Sequence, residues 1–158
     1  MSSEEVKRNS ISNFLLRTAE RWPDKPSVTF SGVTRTWLET KERCHAAATL
    51  FRRLGVEQGD RIAYLGLNSN VCFETYYSPA LIGAVFVPIN HRLSIGEMKE
   101  CLDDCAPKLL IVDESFGEHG KCLATSCKSI QETIYSGRML PSGEGVSYED
   151  SVKAIISS

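Results

Sequence analysis

The sequence predicts a doubly wound α/β fold, a parallel sheet with helices on both faces. Short apolar runs alternate with helix signals along most of the 158 residues, and two capping boxes mark helix starts. Apolar strands separated by helices of about a dozen residues need crossover connections, which are right-handed and leave the strands parallel. At this length a single domain spanning residues 1–158 is expected.

The first elements predicted are a helix and a hairpin. Apolar residues at helical spacing favour a helix over 13–22, which Pro23 closes because the residue before a proline avoids the helical conformation. Two β-prone runs follow, 27–30 and 33–37, on either side of Ser31-Gly32. Glycine tolerates positive φ, so this pair suits the tight turn of a β-hairpin.

A capping box, Thr36-x-x-Glu39, predicts a long helix beginning near Leu38. Gly55 can adopt the left-handed conformation that ends it. Apolar residues three and four apart predict its buried face: Cys44, Ala47, Ala48, Phe51 and Leu54. His45 falls outside that set and is expected on the helix surface.

The strand and helix cycle then repeats. The predicted order is a strand over 62–65, a helix over 70–82 stopped by Gly83, and a strand over 84–87. A second capping box, Ser94-x-x-Glu97, opens a helix that ends before Pro107, and a strand over 109–112 follows. Weaker signals predict a short helix to Cys122, a strand over 130–135, a loop over 136–147 and a helix over 148–156.

Composition and charge exclude several classes of protein. The 18 Lys and Arg against 20 Asp and Glu give a net charge of −2, which disfavours nucleic-acid binding. The most apolar run, 75–89, is too short and too often interrupted by Pro and Gly for a transmembrane helix. The acidic N-terminus lacks a secretory signal, so a cytoplasmic location is expected, with organelle targeting by a C-terminal segment left open.

Six cysteines are present, none in C-x-x-C spacing. We expect reduced, packed thiols and no metal, because intracellular thiols stay reduced and free cysteine buries readily. Cys101 and Cys105 lie four residues apart on a predicted helix, on the same general side as Met98 and Leu102. A packed face is the favoured interpretation, and a metal or redox pair is the alternative.

No standard phosphate-binding or nucleophile motif is present. The nearest string to a phosphate loop, residues 115–122, has Ser and Cys where that loop needs Gly and a hydroxyl for Mg²⁺. No G-x-S-x-G elbow occurs, and the three histidines have no obvious nucleophile partner.

The best functional candidates follow the predicted strands. In open parallel sheets, ligands bind at the carboxyl ends of the strands, where loops carry polar groups. Helix capping and turn formation are the competing interpretation for the same residues. The candidates are Asn90, His91 and Arg92, then Asn68 and Ser69, then Asp113 and Glu114.

Residues 13–115 resemble the N-terminal region of the adenylate-forming enzymes, the group of acyl-CoA synthetases, luciferases and peptide-synthetase adenylation domains. The matching pieces occur in order: Pro23-Asp24-Lys25-Pro26, Thr36-Trp37-x-Glu39, Gly59-Asp60-Arg61, Gly83-Ala84-Val85-Phe86-Val87-Pro88-Ile89-Asn90-x-Arg92-Leu93 and Lys108-Leu109-Leu110-Ile111-Val112-Asp113. Tyr148-Glu149-Asp150 fits the segment that precedes the family's nucleotide loop.

The resemblance implies that residues 1–158 form the N-terminal portion of an AMP-binding, acyl-CoA synthetase-like domain that ends before the phosphate loop. The parent ligase would use ATP, Mg²⁺, CoA and a small carboxylic acid. This chain alone is expected to be inactive, to hold none of these cofactors tightly, and to self-associate through uncovered apolar surface. The alternative is a complete, catalytically silent protein that acts as a binding module.

The resemblance also assigns candidate residues on the CoA side. In CoA-using relatives, loops after the strands that match 85–89 and 109–112 approach the CoA nucleotide. This implies contacts at Pro88, Ile89 and Asn90, and more weakly at Lys121.

Overall fold

A computed structural model describes residues 10–137 and 145–158 and confirms the doubly wound fold. The helices are α1 (Ile11–Arg21), α2 (Trp37–Arg53), α3 (Asn70–Tyr77), α4 (Ile95–Cys105), α5 (Gly117–Ser126) and α6 (Tyr148–Ile156). The strands are β1 (Pro26–Phe30), β2 (Val33–Thr36), β3 (Arg61–Leu65), β4 (Val85–Ile89), β5 (Leu109–Asp113), β6 (Glu132–Ser136) and β7 (Val146–Ser147). Two 3₁₀ helices, Pro79–Ile82 and Glu114–Phe116, lie between them.

The main sheet has five parallel strands in the order β4-β3-β5-β6-β7, and the hairpin of β1 and β2 forms a separate antiparallel sheet. The registers align the carboxyl ends of the central strands: Leu65 lies opposite both Ile89 and Val112, and Asp113 lies opposite Ser136. The loops that leave these strands therefore share one edge of the sheet.

Each face of the sheet has its own hydrophobic core. On one face, Ile62 and Ile111 pack with Phe51 of α2 and with Tyr148 of α6. On the other face, Leu110 and Val112 belong to a cluster with side chains of α4 and α5, namely Met98, Leu102 and Leu123. Continuous burial from Leu109 to Val112 is what a central strand covered on both faces requires.

Both predicted capping boxes are present. The Glu39 backbone N–H donates to Thr36 Oγ1 at 3.2 Å, and the Thr36 N–H donates to Glu39 Oε2 at 2.7 Å. Ser94 and Glu97 make the same reciprocal pair at the start of α4. Gly55 and Gly83 have φ of 83° and 75°, so both predicted helix stops occur in the left-handed conformation.

Helix α4 ends before Pro107, as predicted, but its end is also capped by interactions that the sequence did not predict. Ala106 has a positive φ of 43°, uncommon for a residue with a Cβ. The Arg61 guanidinium donates from Nε to the Cys105 carbonyl and from Nη2 to the Ala106 carbonyl. These carbonyls have no partner within the helix, so Arg61 caps it from β3.

Several predicted elements differ from the structure in their bounds or type. The helix predicted over 70–82 ends at Tyr77 and resumes as a 3₁₀ turn at Pro79, because proline lacks the N–H that an α-helix needs there. The strand predicted over 84–87 runs from Val85 to Ile89. Part of the loop predicted over 136–147 is strand β7, which pairs with β6; residues 138–144 lie outside the described residues.

The cysteines are only partly packed. All six are free in the structure; Cys44 and Cys127 are buried, but Cys101 and Cys122 are exposed. The packed interpretation was therefore wrong for Cys101, because Met98 and Leu102 alone turn into the core. Within the described ranges, no cluster of three or more His, Cys, Asp or Glu could hold a metal ion. In the same ranges, no helix combines the length and apolar character needed to cross a membrane.

Strand β4 is the outer strand of the main sheet in the described part of the chain. The Val85 N–H points inward and donates to the Asp60 carbonyl at 2.8 Å. Successive residues of a strand direct their N–H groups to opposite sides, so the nitrogens of Phe86 and Pro88 face outward. Pro88 carries no N–H, and the free edge of β4 is correspondingly poor in donors.

Candidate functional site

The candidate site is the carboxyl edge of the parallel sheet. All five parallel strands end there, and the segments that leave the first four, 66–69, 90–94, 114–116 and Gly137, bring loops from distant parts of the sequence together. This is the position at which open parallel sheets bind ligands. Residues of the first three segments were candidates from the sequence.

Asn90 and Arg92 lie exposed in the loop after β4. The Arg92 backbone N–H donates to Asn90 Oδ1 at 3.0 Å, and the Leu93 N–H donates to the Asn90 carbonyl at 3.2 Å. The Asn90 side chain thus shapes the turn, as the competing interpretation held. The Arg92 side chain projects from a turn that is already ordered.

Three rings cluster beside this turn. The half-buried His91 ring lies 5.7 Å from the ring of Phe116, and the Phe116 ring lies 5.9 Å from that of His119. The interplanar angles of 53° and 74° are typical of tilted and edge-on aromatic contacts. His91 is a candidate from the sequence, but its contact with Phe116, and that of Phe116 with His119, was not predicted.

Asn68 and Ser69 follow β3, and Ser69 caps the start of α3. Ser69 Oγ accepts from the Cys72 N–H at 3.1 Å, which makes Ser69 the N-cap of that helix. The Tyr64 hydroxyl donates to the Leu67 carbonyl at 2.9 Å and lies 3.2 Å from Ser69 Oγ. Burial raises the pKa of the Tyr64 hydroxyl well above its ordinary value, so at neutral pH it remains a donor.

The loops after β3 and β5 touch without a gap. A Cβ at Gly66 would lie 2.5 Å from Asp113 Cβ and 2.8 Å from the Tyr64 hydroxyl oxygen. Asp113 Oδ1 accepts from the Ser115 N–H at 3.0 Å and caps the 3₁₀ turn that carries Phe116. The close approach at Gly66 therefore fixes the base of the aromatic cluster.

The predicted CoA-side residues occupy different environments. Pro88 and Asn90 are exposed, whereas the Ile89 side chain is buried in the core shared with α4 and α5, so any contact there would fall on its main chain. Lys121 is half-buried on α5, and its Nζ donates to Glu118 Oε1 at 3.0 Å. The string 115–122 runs as a 3₁₀ turn and a helix, not as a phosphate cradle.

A second polar cluster was not predicted from the sequence, and two of its members, Asn70 and Glu149, lie in the first turns of the helices that follow β3 and β7. Arg43 of α2 donates from Nε to Glu74 Oε1 at 2.6 Å and from Nη2 to Glu149 Oε1 at 2.9 Å. The Tyr148 hydroxyl donates to Glu74 Oε2 at 3.0 Å, and the Asn70 amide donates to Glu149 at 3.3 Å. One guanidinium thus joins α2, α3 and α6.

This polar cluster is buried and fully paired. The Glu74 side chain has no exposed surface and that of Arg43 is 8% exposed. Burial opposes the charge on Arg43, but hydrogen bonding to Glu74 and the charges of Glu74 and Glu149 outweigh it, so its pKa is raised. Burial, followed by the Glu74 charge, raises the pKa of Tyr148 well above its ordinary value. The Arg43 guanidinium therefore stays charged, and the cluster links three helices.

A signal for this cluster was present in the sequence. Arg43 lies four residues before Ala47, within the face that the apolar spacing assigns to the core. A charged residue on a buried helix face needs a buried partner. The partner could not be identified, because Glu74 and Glu149 lie 31 and 106 residues away.

The architecture defines the chain as a doubly wound α/β domain with loops gathered at the carboxyl edge. The family model described as AMP-binding enzyme matches residues 15–154. The chain therefore belongs to the AMP-binding enzyme family, which confirms the resemblance seen in the sequence.

Curated relatives include several CoA ligases. The chain is 32% identical over 141 residues to the feruloyl-CoA synthase of Amycolatopsis sp, a match covering 88% of this chain and 26% of that protein. It is 30% identical over 103 residues to the peroxisomal benzoate–CoA ligase of Arabidopsis thaliana, covering 65% of this chain and 18% of the ligase. The chain thus spans about a quarter of the length of the feruloyl-CoA synthase and less of the benzoate–CoA ligase, in the N-terminal region of each.

Solved structures agree on the fold. A long-chain-fatty-acid CoA ligase described as putative, from Rhodopseudomonas palustris, superposes with a TM-score of 0.83 at 27% identity, covering 90% of this chain and 36% of that one. The anthranilate CoA ligase AuaEII, solved with anthranoyl-AMP, gives a TM-score of 0.88 at 19% identity, covering 98% and 30%. The second match shows the fold alone.

Proposed function

We propose that this chain is the N-terminal region of an ATP-dependent ligase that joins a carboxylic acid to CoA. The observation that carries the proposal is the family match over residues 15–154, together with relatives that act as CoA ligases and extend far beyond the matched region. The identity of the carboxylic acid stays open, because none of the described residues forms an enclosed acyl pocket.

The reaction has two steps. A carboxylate oxygen attacks the α-phosphorus of ATP, and the bond to the β-phosphate oxygen breaks with release of pyrophosphate. The CoA thiolate then attacks the acyl-adenylate carbonyl carbon, and AMP leaves with the electron pair of the acyl–oxygen bond. ATP with its Mg²⁺ would be held by segments outside this chain, since the sequence contains no phosphate loop.

In the proposed ligase, the described residues at the carboxyl edge would contribute contacts to CoA. The turn at Asn90 and the exposed edge at Pro88 adjoin the cluster of His91, Phe116 and His119. Flat aromatic faces suit an adenine base, and a lysine suits a phosphate. Lys121 follows the cluster on α5 and is the candidate for the phosphate contact.

A hybrid enzyme tests the proposal. In it, this chain replaces the matched region of the Amycolatopsis feruloyl-CoA synthase, and acid-dependent exchange of pyrophosphate into ATP is measured. The hybrid should catalyse exchange with a carboxylic acid. A hybrid that unfolds cooperatively, as a folded protein does, yet shows no exchange with a broad panel of acids would contradict the proposal.

The same hybrid tests the CoA side. Lys121→Ala should raise the KM for CoA several-fold and leave pyrophosphate exchange unchanged, because exchange precedes CoA binding. Lys128→Ala is the matched control, since Lys128 is exposed after α5. Equal CoA affinity for the two variants would remove Lys121 from the site.

The isolated chain should not form an adenylate. Preorganised electrostatic groups supply most of the acceleration in such reactions, and the groups for the triphosphate are not among these residues. No exchange above a buffer blank is therefore expected for the chain alone with any fatty or aromatic acid. Exchange above the blank would show that a functional nucleotide site is present after all.

The alternative function is a catalytically silent binding module, and the apolar surface around Tyr76, which is 52% exposed, favours it. The continuation of the reading frame separates the two: a phosphate loop within a few dozen codons establishes the ligase. The proposal includes a cytoplasmic location and self-association of the isolated chain.

A further inference from the structure

Cys101 and Cys105 lie one turn apart on α4. Of the six cysteines, these are the two with a spacing of four residues, which places both side chains on one side of the helix. Cys101 is exposed and Cys105 is half-buried, whereas Met98 and Leu102 of the same helix are buried in the core. The two thiols therefore lie at the border between the core and the outer surface of α4.

The spacing disfavours a disulfide bond in the intact helix. Cβ atoms four residues apart in a helix are separated by about 5–6 Å, whereas a disulfide needs about 3.5–4.5 Å. An atom that bridges the two sulfurs removes this conflict, because two metal–sulfur bonds of about 2.3 Å span roughly twice the length of one S–S bond. The pair thus suits ligation of a bridging ion better than oxidation to a disulfide.

The surroundings of Cys105 disfavour a free thiolate. Burial raises the pKa of the Cys105 thiol, and the charge of Asp104 adds to this effect. Cys105 is also the last residue of α4, and the C-terminal end of a helix favours a cation over an anion. A bound cation displaces the thiol protons and compensates the charge left on both sulfurs. The end of α4 therefore favours a metal-bound pair of thiolates over a reactive nucleophile.

A fixed positive charge lies beside the pair. Arg61 of β3 donates from Nε to the Cys105 carbonyl at 2.5 Å and from Nη2 to the Ala106 carbonyl at 2.8 Å. Its charge also favours the thiolate form of Cys105, in opposition to burial. Two thiolates with one monovalent cation carry a single net negative charge, which the Arg61 guanidinium can offset.

The number of available ligands selects the metal. Among the residues that the structure describes, Cys101 and Cys105 belong to no group of three or more His, Cys, Asp or Glu that could hold a metal ion. Structural Zn²⁺ sites and iron–sulfur clusters use about four protein ligands, so two thiols do not suffice for either. Cu(I) is the other cation that thiolates select, and two thiolates can satisfy this soft monovalent ion.

We propose that Cys101 and Cys105 form a two-thiolate binding site for Cu(I). Binding releases the two thiol protons to solvent and forms two copper–sulfur bonds, and no oxidation state changes. The bound ion joins consecutive turns and thereby clamps the last turn of α4, which Arg61 caps from β3. The proposal adopts the metal alternative that the sequence left open for this pair. It concerns α4 and does not depend on the ligase function.

A chelator competition tests the site. Under anaerobic conditions with ascorbate, the protein is titrated against the Cu(I) complex of bicinchoninate, whose colour reports the copper that remains on the chelator. The protein should withdraw Cu(I), and Cys101→Ser should weaken this binding by roughly 100-fold, because one thiolate alone leaves the ion half-ligated. Equal binding by Cys101→Ser and the unchanged protein would overturn the proposal.

Cys122→Ser is the matched control for this titration. Cys122 is also exposed, but it lies on α5 without a second cysteine one turn away, so this variant should bind Cu(I) as the unchanged protein does. Cys101→Ser changes an exposed side chain and should leave the midpoint of urea unfolding unchanged, which separates a lost ligand from a lost fold. A loss of copper binding as large in Cys122→Ser as in Cys101→Ser would contradict the assignment to α4.

Two measurements on the copper-loaded protein locate the ion. X-ray absorption at the copper edge should show two sulfur neighbours, and a third sulfur would contradict a two-thiolate site. Hydrogen exchange of the amides in the last turn of α4 should slow several-fold on loading, while exchange in α5 stays the same. Unchanged exchange in α4 would place the copper elsewhere and overturn the proposal.

Discussion

Gly66 lies where β3 leaves the sheet and has no room for a side chain. Asp113 and Tyr64 occupy the space on the side where a Cβ would project. Gly96, in the first turn of α4, faces open space instead, with its nearest neighbour Ser94 Oγ at 4.0 Å. The same substitution is therefore expected to have opposite effects at the two positions.

Gly66→Ala should lower the free energy of unfolding by about 1–3 kcal/mol, because the new methyl group overpacks the edge. Gly96→Ala should raise it by about 0.8–1 kcal/mol, since alanine is the better helix former. Urea unfolding of the isolated chain measures both. A neutral Gly66→Ala would show that the loops after β3 and β5 can separate at little cost.

Arg43 is the residue on which three helices depend. Replacing it with methionine leaves the Glu74 carboxylate buried without its cation, so Arg43→Met should lower the free energy of unfolding by about 3–5 kcal/mol. Adding Glu74→Gln should restore part of the loss, because the amide carries no charge. Arg52→Met, at an exposed position of the same helix, should cost about 0.5 kcal/mol or less. Equal losses at Arg43 and Arg52 would contradict a paired buried charge.

At the scale of elements, local signals predicted the start of α2 and α4, because a capping box is complete within four residues of sequence. The sequence signals for the helix ends at Gly55 and Gly83 were also local. The prediction failed at Pro79, where apolar spacing continued through a residue that cannot continue an α-helix. Strand β7 was missed because two residues in a polar loop carry no periodic pattern; they are a strand only because β6 pairs with them.

The candidate site was likewise predictable only where the position of a residue depends on its own segment of sequence. Asn90, Ser69 and Asp113 could be placed at the carboxyl edge because each lies at or just after the end of a strand predicted to be parallel, and each proved to cap or shape a turn. The contact of Phe116 with both histidines depends on how the loops after β4 and β5 pack. No spacing within one segment carries that information.

The C-terminal end of α4 allows a prediction about stability at the scale of one element. Ala106 holds a left-handed conformation that costs a residue with a Cβ about 1–2 kcal/mol. Ala106→Gly should therefore raise the free energy of unfolding by about 1 kcal/mol and the Tm by about 2–4 °C. Ala124→Gly, within α5, should destabilise by about 1 kcal/mol. Destabilisation by Ala106→Gly would mean that the Ala106 Cβ makes packing contacts worth more than the strain.

At the scale of the molecule, low net charge and the exposed apolar surface around Tyr76 act together. Charge of one sign keeps proteins apart, and this chain carries only −2 with a sequence pI near 5.9. Self-association of the isolated chain at micromolar concentration should thus be strongest near pH 6 and weaker at pH 8, where the net charge is more negative. Sedimentation across this range measures it, and Tyr76→Glu should suppress the association. A compact monomer at pH 6 would indicate that the chain covers its own apolar surface.

The outward proline of β4 has a consequence for biosynthesis. Ribosomes add about 5–20 residues per second, so a ligase of the relatives' length would leave this region waiting tens of seconds for the rest of its chain. During that wait, neighbouring nascent chains on the same message lie close together with their β4 strands uncovered. A nitrogen without hydrogen at Pro88 interrupts the ladder that two such strands would build, so the exposed edge of β4 is protected against strand-to-strand aggregation.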